Sequence, residues 1–258
     1  ITTDDGTGKD GRGCRRGLTE NDREWIRQDL SYVSKDMPVV VAMHIPLFNH
    51  NGNDYDKKLG EYTSITSLFQ DHDVTFMSAH THSLYNTVKE DEGQRIEEWV
   101  TGALCGDFWS SANKHGVNLC TNGAPGGYRV ITATGSHISS VYKATGIDGN
   151  FFFRSYDRNT MDFSASLMCP KAPEGSKQQK FWNDRTKAYA GASSENHVYI
   201  HIWDMKEGWT LTVTEDGNAL DPVKVSLHDP LFLAANIAGQ CNSTREEWSI
   251  GTNSTICG

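Results

Sequence analysis

Two apolar runs that each deliver histidine at the carboxyl end constrain this chain more than any other feature. "PVVVAMH" closes on His44, and "VTFMSAHTH" closes on His80 and His82. Continuous Val-rich runs of this length read as strands buried on both faces, the habit of a parallel sheet. A helix is predicted before each. "GLTENDREWIRQDLSYV" carries Thr19 as N-cap, Asp22 at N3 to complete a capping box, and Leu18 as a staple. Trp25, Ile26, Leu30 and Val33 fall on one face of it at helical spacing. "EYTSITSLFQDHD" gives a shorter helix with Ile65, Leu68 and Phe69 inward. Helix, strand, helix, strand is an α/β repeat, and ligands of such sheets collect beyond the carboxyl ends of the strands. His44, His80 and His82 are expected there.

From about residue 94 the pattern changes. "RIEEWVTGAL", "GGYRVITATG", "SHISSVYKATG", "FFFRSYD", "HVYIHIWDM", "WTLTVTEDG" and "PVKVSL" read as short strands between Gly, Asn and Asp turns. An antiparallel sandwich is the expectation, interrupted by a long loop, "CPKAPEGSKQQKFWNDRTKAYAGASSEN". The division drawn is residues 1–127 for an α/β part and 128–258 for a β-rich part. No repeat or low-complexity segment is present.

Composition narrows the partners. The 258 residues carry 33 acidic against 24 basic side chains, a formal net charge of −9, and Lys and Arg form no stripe. A nucleic-acid backbone is therefore excluded as the natural partner. No apolar run reaches the roughly 18 residues of a membrane span. The opening "ITTDDGTGKDGRG" has no basic segment followed by an apolar one and reads as a strand end entering a loop, so a chain cut from something longer is expected. Six cysteines (14, 105, 120, 169, 241, 257) include no Cys-x-x-Cys pair. Cys105 and Cys120 flank a Gly/Asn-rich loop, and Cys241 and Cys257 bracket the tail. The even count fits disulfides in an oxidising, secreted or periplasmic, compartment, with free buried thiols as the other reading.

Neutral imidazole suits zinc, iron, manganese or nickel, and three histidines on adjacent strands make a three-nitrogen set. "MHIPLF" followed by "SAHTHSLYN" resembles the second half of the calcineurin-like metallophosphoesterases, which end their motif set with a strand-terminal His and then Gly-His-x-His. Ala79 stands where that family has Gly. "WVTGALCGDFW", "NGAPGGYRVI" and "YKATG" resemble a C-terminal domain of a largely exported bacterial branch. The resemblance implies an α/β sandwich, of which this chain holds half, followed by a β-sandwich-like accessory domain. It also implies two metal ions (Mn, Fe or Zn) about 3.5–4 Å apart and hydroxide attack on a phosphomonoester or phosphodiester. By resemblance His44 and His80 bind one metal and His82 the other.

The family's Asp-x-His, Gly-Asp and Asn-His-Asp/Glu ligands, which precede the strand-terminal His in that family, are missing from the residues ahead of His44. The site is therefore expected to be partial, the remaining ligands to lie on an N-terminal segment, and the chain alone to show little activity. Asn49, His50, Asp107 and Trp109, with Asn53 and Phe108 beside them, are the candidate substrate contacts. Solvated turns and inter-domain packing are the alternatives for them. His72 and His115 read as surface residues, Trp203 and Trp209 as sandwich core or a glycan face. Asn242 and Asn253 lie in Asn-x-Ser/Thr sequons. Two rival readings stand beside the phosphoesterase. One is a non-catalytic sandwich binding glycan or protein with vestigial histidines. The other is a mononuclear hydrolase using Asp107.

Overall fold

The computed structural model describes residues 18–55, 65–91, 93–106, 118–190 and 196–242. Asp107, Phe108, Trp109, His115, Cys14, Cys257, Asn253 and the start of the second expected helix lie outside them. The chain divides into two compact units. The first comprises residues 1–81, 85–101 and 129–143, the second 82–84, 102–128 and 144–258.

In the first unit, α1 (Glu20–Leu30) starts at the expected capping box. Thr19 Oγ1 accepts from Asp22 N at 3.1 Å, and Asp22 accepts from Thr19 N at 2.7 Å. Only Ile26 of α1 is buried, and Trp25 is 59% exposed, which corrects the wide apolar face expected for this helix. The capping box fixes where the helix begins; Ile26, with Leu18 and Leu30 half-buried against the same core, fixes which side faces inward. β1 (Val39–Ala42), β2 (Val74–Ser78), β3 (Tyr85–Asp91) and β4 (Gln94–Val100) form one sheet in the order β1-β2-β4-β3. β1 pairs parallel with β2, Val39 opposite Val74, and β2 pairs parallel with β4.

The strands are not buried on both faces. β2 alternates buried and half-buried residues, and β1 buries only Val41 well. Val74, Phe76, Val41 and Ile96 pack with Ile26, Phe48, Ile65 and Phe69 in a single core. The β3–β4 hairpin, which corrects the change of pattern expected at residue 94, carries this sheet on by one parallel and one antiparallel pairing. The described part of the second expected helix is helical at residues 65–66 and runs on into a 3₁₀ turn at Ser67–Phe69. β5 (Gly127–Thr134) and β6 (His137–Ala144) pair with each other. Arg129 ties this hairpin to the unit, donating to Ser140 Oγ at 3.0 Å and to Asn86 Oδ1 at 3.1 Å.

In the second unit, β7 (Phe153–Asp157) pairs antiparallel with β8 (Val198–Ile202), and β9 (Val213–Glu215) with β10 (Asn218–Leu220). Asp216 and Gly217, both at positive φ, make the β9–β10 turn, the backbone a tight hairpin requires. Among the described residues these strands form separate two-stranded pairs, so the protein is mixed α/β with several small sheets. "PVKVSL" holds no strand.

The expected long loop folds into a helix, Lys177–Arg185, capped by Ser176, with Trp182 fully buried. A last helix runs through Pro230–Phe232, a π turn at Leu233–Ile237, and Ala238–Cys241. Phe163, Trp182, Tyr189, Phe232 and Leu233 form the core between these pieces. Trp203 joins the buried residues at 2% exposure, whereas Trp209 is 41% exposed.

Trp182 stacks on Phe163 and donates its indole N–H to Phe163 O at 2.7 Å. Trp182→Ala is expected to cost about 3–5 kcal/mol of unfolding free energy in urea titration, the loss of a filled aromatic site plus a cavity.

Candidate functional site

β1 and β2 end side by side, and His44 and His80 follow them. Ala79 N donates to His44 O at 3.1 Å, so parallel pairing continues one step past the strands. His44 Nε2 and His80 Nδ1 stand 3.0 Å apart, one ring donating to the other, and the rings meet edge to face. Tyr55 packs edge-on against His80 from the far side.

The backbone that presents these rings is strained. His80 and His82 have φ of 61° and 54°, the left-handed region that costs an L residue about 1–2 kcal/mol. Thr81 N donates back to Ala79 O at 2.6 Å, closing a three-residue turn centred on His80. Ala79, where the resembled family has Gly, is not among the left-handed residues. The alanine therefore fits without backbone strain. His82 belongs to the second unit, where its carbonyl accepts from Thr121 N at 2.8 Å and Thr121 Oγ1 at 3.2 Å.

Below the His44 loop lies a residue the sequence reading passed over. Glu98, on β4, is fully buried. Its Oε1 accepts from Leu47 N at 2.9 Å and from Ser78 Oγ at 2.7 Å, and its Oε2 accepts from Phe48 N at 2.9 Å. Leu47 lies three residues beyond His44, and Ser78 two before His80. One carboxyl thus fastens both histidine-bearing ends to the strand between β2 and β3. Burial pushes it up to about 7, and the bonds from Leu47, Phe48 and Ser78 keep it from rising further. A glutamate at an alternating strand position that reads as solvent-facing gave no signal of this. Only the order β2-β4-β3 puts it inside. Tyr85 is pushed up as well, by burial and then by Glu98, while its hydroxyl donates to Phe48 O at 2.9 Å.

The other candidates separate. Asn49 is a turn former: its Oδ1 accepts from Asn51 N at 2.9 Å and Asn53 N at 3.2 Å. His50 is half-buried against Tyr85, and burial lowers its pKa. Asp107 and Trp109 lie outside the described residues. His72 is half-buried, with Nδ1 enclosed. Asn242 spends its side chain inside the fold, donating to Met168 O and Ala238 O and accepting from Lys171 N.

The expected disulfides do not form among the described residues: Cys105, Cys120, Cys169 and Cys241 are thiols, and Cys14 and Cys257 lie outside. Cys120 Sγ points at carbonyls of Pro125 and Ala103. The Cys169 and Cys241 thiols face each other, their hydrogen bond raising Cys169 and lowering Cys241.

Parallel strands with paired imidazoles just past their carboxyl ends are an α/β arrangement, and in such sheets ligands collect at that end. The chain belongs to the calcineurin-like phosphoesterase family: a family model described as the C terminal of calcineurin-like phosphoesterase matches residues 98–254, more than half of it. No curated protein and no solved structure matches the chain. Phosphoesterases of this type generally use divalent metals. His44 Nε2 and His80 Nδ1, 3.0 Å apart, are the nitrogens that could hold such an ion. The described residues hold no group of three or more His, Cys, Asp and Glu able to bind a metal.

Two predictions test this geometry. His80→Gly and His80→Ala remove the same imidazole, yet the glycine variant is expected to be more stable by about 1 kcal/mol in thermal or urea unfolding. Equal stability would remove the backbone-strain account. For Glu98, the folded protein holds a proton between pH 4.5 and 7 that an unfolded chain has released. Its stability contribution is thus full below pH 4.5 and declines as pH rises through 7. Wild type should lose on the order of 3 kcal/mol between pH 4.5 and 8 from this group, and Glu98→Gln should lack that slope.

Proposed function

We propose that this chain carries part of the site of a calcineurin-like phosphoric-ester hydrolase, acting on a phosphomonoester or phosphodiester. His44 and His80 hold one ion, and His82 contributes to the second. The convergence of His44 and His80 at 3.0 Å, with His80 held at an unfavourable φ, is the observation that supports this reading. Strain at a polar side chain persists where the geometry serves a ligand. When bound, the metals (Mn, Fe or Zn) supply a Lewis acid for the phosphoryl oxygens and a hydroxide at neutral pH.

The protein's own part is positional. Glu98 fixes the two loops so that the imidazoles approach with little freedom left to lose on binding. The Asp-x-His and Asn-His-Asp/Glu ligands, absent from these 258 residues, come from polypeptide outside them. The resemblance to an exported bacterial branch supports a secreted or periplasmic setting.

Phosphate release from p-nitrophenyl phosphate and its diester, with Mn²⁺ added, checks the reading. The 258-residue chain should turn over little. A version carrying the upstream motifs should be active, and His82→Ala in it should lower kcat at least ~100-fold, the scale of losing a metal ligand. Full activity of the isolated chain would overturn the partial-site reading.

A further inference from the structure

The second unit holds a buried polar network that the phosphoesterase site does not use. Asp229, wholly buried, caps the last helix, Oδ1 accepting from Phe232 N at 2.8 Å. Its Oδ2 accepts from the Tyr156 hydroxyl at 2.7 Å and from His201 Nδ1 at 2.9 Å. Arg154 Nη1 lies 3.6 Å from the same oxygen and donates to Tyr156 OH and Gly123 O, each at 3.1 Å. Gly123 sits at φ 83°, and a Cβ there would lie 2.3 Å from Asp229 Cβ, so only glycine lets the loop close over the carboxylate.

With Asp229 accepting, the proton of the neutral His201 ring is on Nδ1. Nε2 is then a lone-pair acceptor. His201 is only 5% exposed and its ring packs edge-on against Trp203, which leaves Nε2 as the ring's acceptor once Nδ1 is engaged by Asp229. His201 and Asp229 line a cavity of about 280 Å³, with Val198, Leu211, Val223 and Leu227 among its apolar walls. An apolar cavity of about 150 Å³ already holds a benzene ring. The space therefore suits a larger ring or a ring with a short chain. Val223, 82% exposed, and Val198, 60% exposed, leave part of the wall open to solvent.

We infer that this cavity is a binding site for a small amphipathic molecule, an aromatic or short-alkyl body bearing one hydroxyl that donates to His201 Nε2. The apolar walls take up the body, and Asp229 fixes the tautomer and orientation of the acceptor. A molecule of the same shape without a donor leaves the buried ring nitrogen unpaired, and so binds more weakly.

The test uses 4-propylphenol and its methyl ether, 4-propylanisole, titrated into the whole chain at pH 8 by calorimetry, with His201 ¹⁵N shifts recorded. The phenol should bind at about 1 mM or tighter and move the Nε2 resonance, and the ether should bind at least about tenfold more weakly. In His201→Phe the two should bind alike. If neither compound binds, or if wild type binds both equally with Nε2 unmoved, the inference fails. Should His201→Phe fail to fold, the wild-type comparison of phenol and ether decides alone. Phosphoesterase activity does not enter either readout.

Discussion

One buried carboxyl organises the end of the sheet where His44 and His80 meet. Glu98 takes hydrogen bonds from Leu47, Phe48 and Ser78, and so links the loop after β1 to the end of β2 through β4. An unpaired buried carboxylate is costly, and three donors are what make this one tolerable. The donors are backbone N–H groups of the loop after β1 and the hydroxyl at the end of β2. Carboxyl and loops satisfy one another, and the imidazoles of His44 and His80 are fixed by that exchange.

The second unit repeats the device around Asp229. A wholly buried carboxylate caps a helix, accepts from Tyr156 and His201, and faces Arg154. Glu98 sets the spacing between two histidines, and Asp229 sets the tautomer of one. In both, the charge sits where backbone N–H groups lack an internal partner: strand ends in one unit, a helix start in the other. The two units thus reach ordered polar side chains by the same economy of donors and acceptors, from unrelated secondary structure.

Local signals in the sequence were faithful where the physics is local. The capping box of Thr19 and Asp22 started α1 as read, and the apolar runs before His44 and His80 became parallel strands. Reading failed where a residue's environment is made by distant chain. Trp25 was read onto one face with Ile26 but lies outside, since neighbouring residues of a helix point about 100° apart and Ile26 takes the inward direction. Lys177–Arg185 has many charged and amide residues for its length and reads as loop. Trp182 alone, buried against Phe163, makes it a packed helix. β3 was missed for a similar reason, since its polar alternation looks like a solvated turn until β4 pairs with it.

The sequence by itself determined the two histidine-ended strands, the resemblance carried by "MHIPLF" and "SAHTHSLYN", and the absence of the family's carboxylate motifs from these residues. Periodicity, capping and motif spacing act within a few residues, so they are written in the chain. Tertiary structure alone decided that His44 and His80 meet at 3.0 Å, that Glu98 is internal, and that His201 faces a cavity. Each depends on strand order and on contacts across 20 to 51 residues of sequence, among them the bonds of Glu98 to Ser78 and Leu47. Burial of a charged side chain follows from which strand neighbours it, and no local pattern encodes that neighbour.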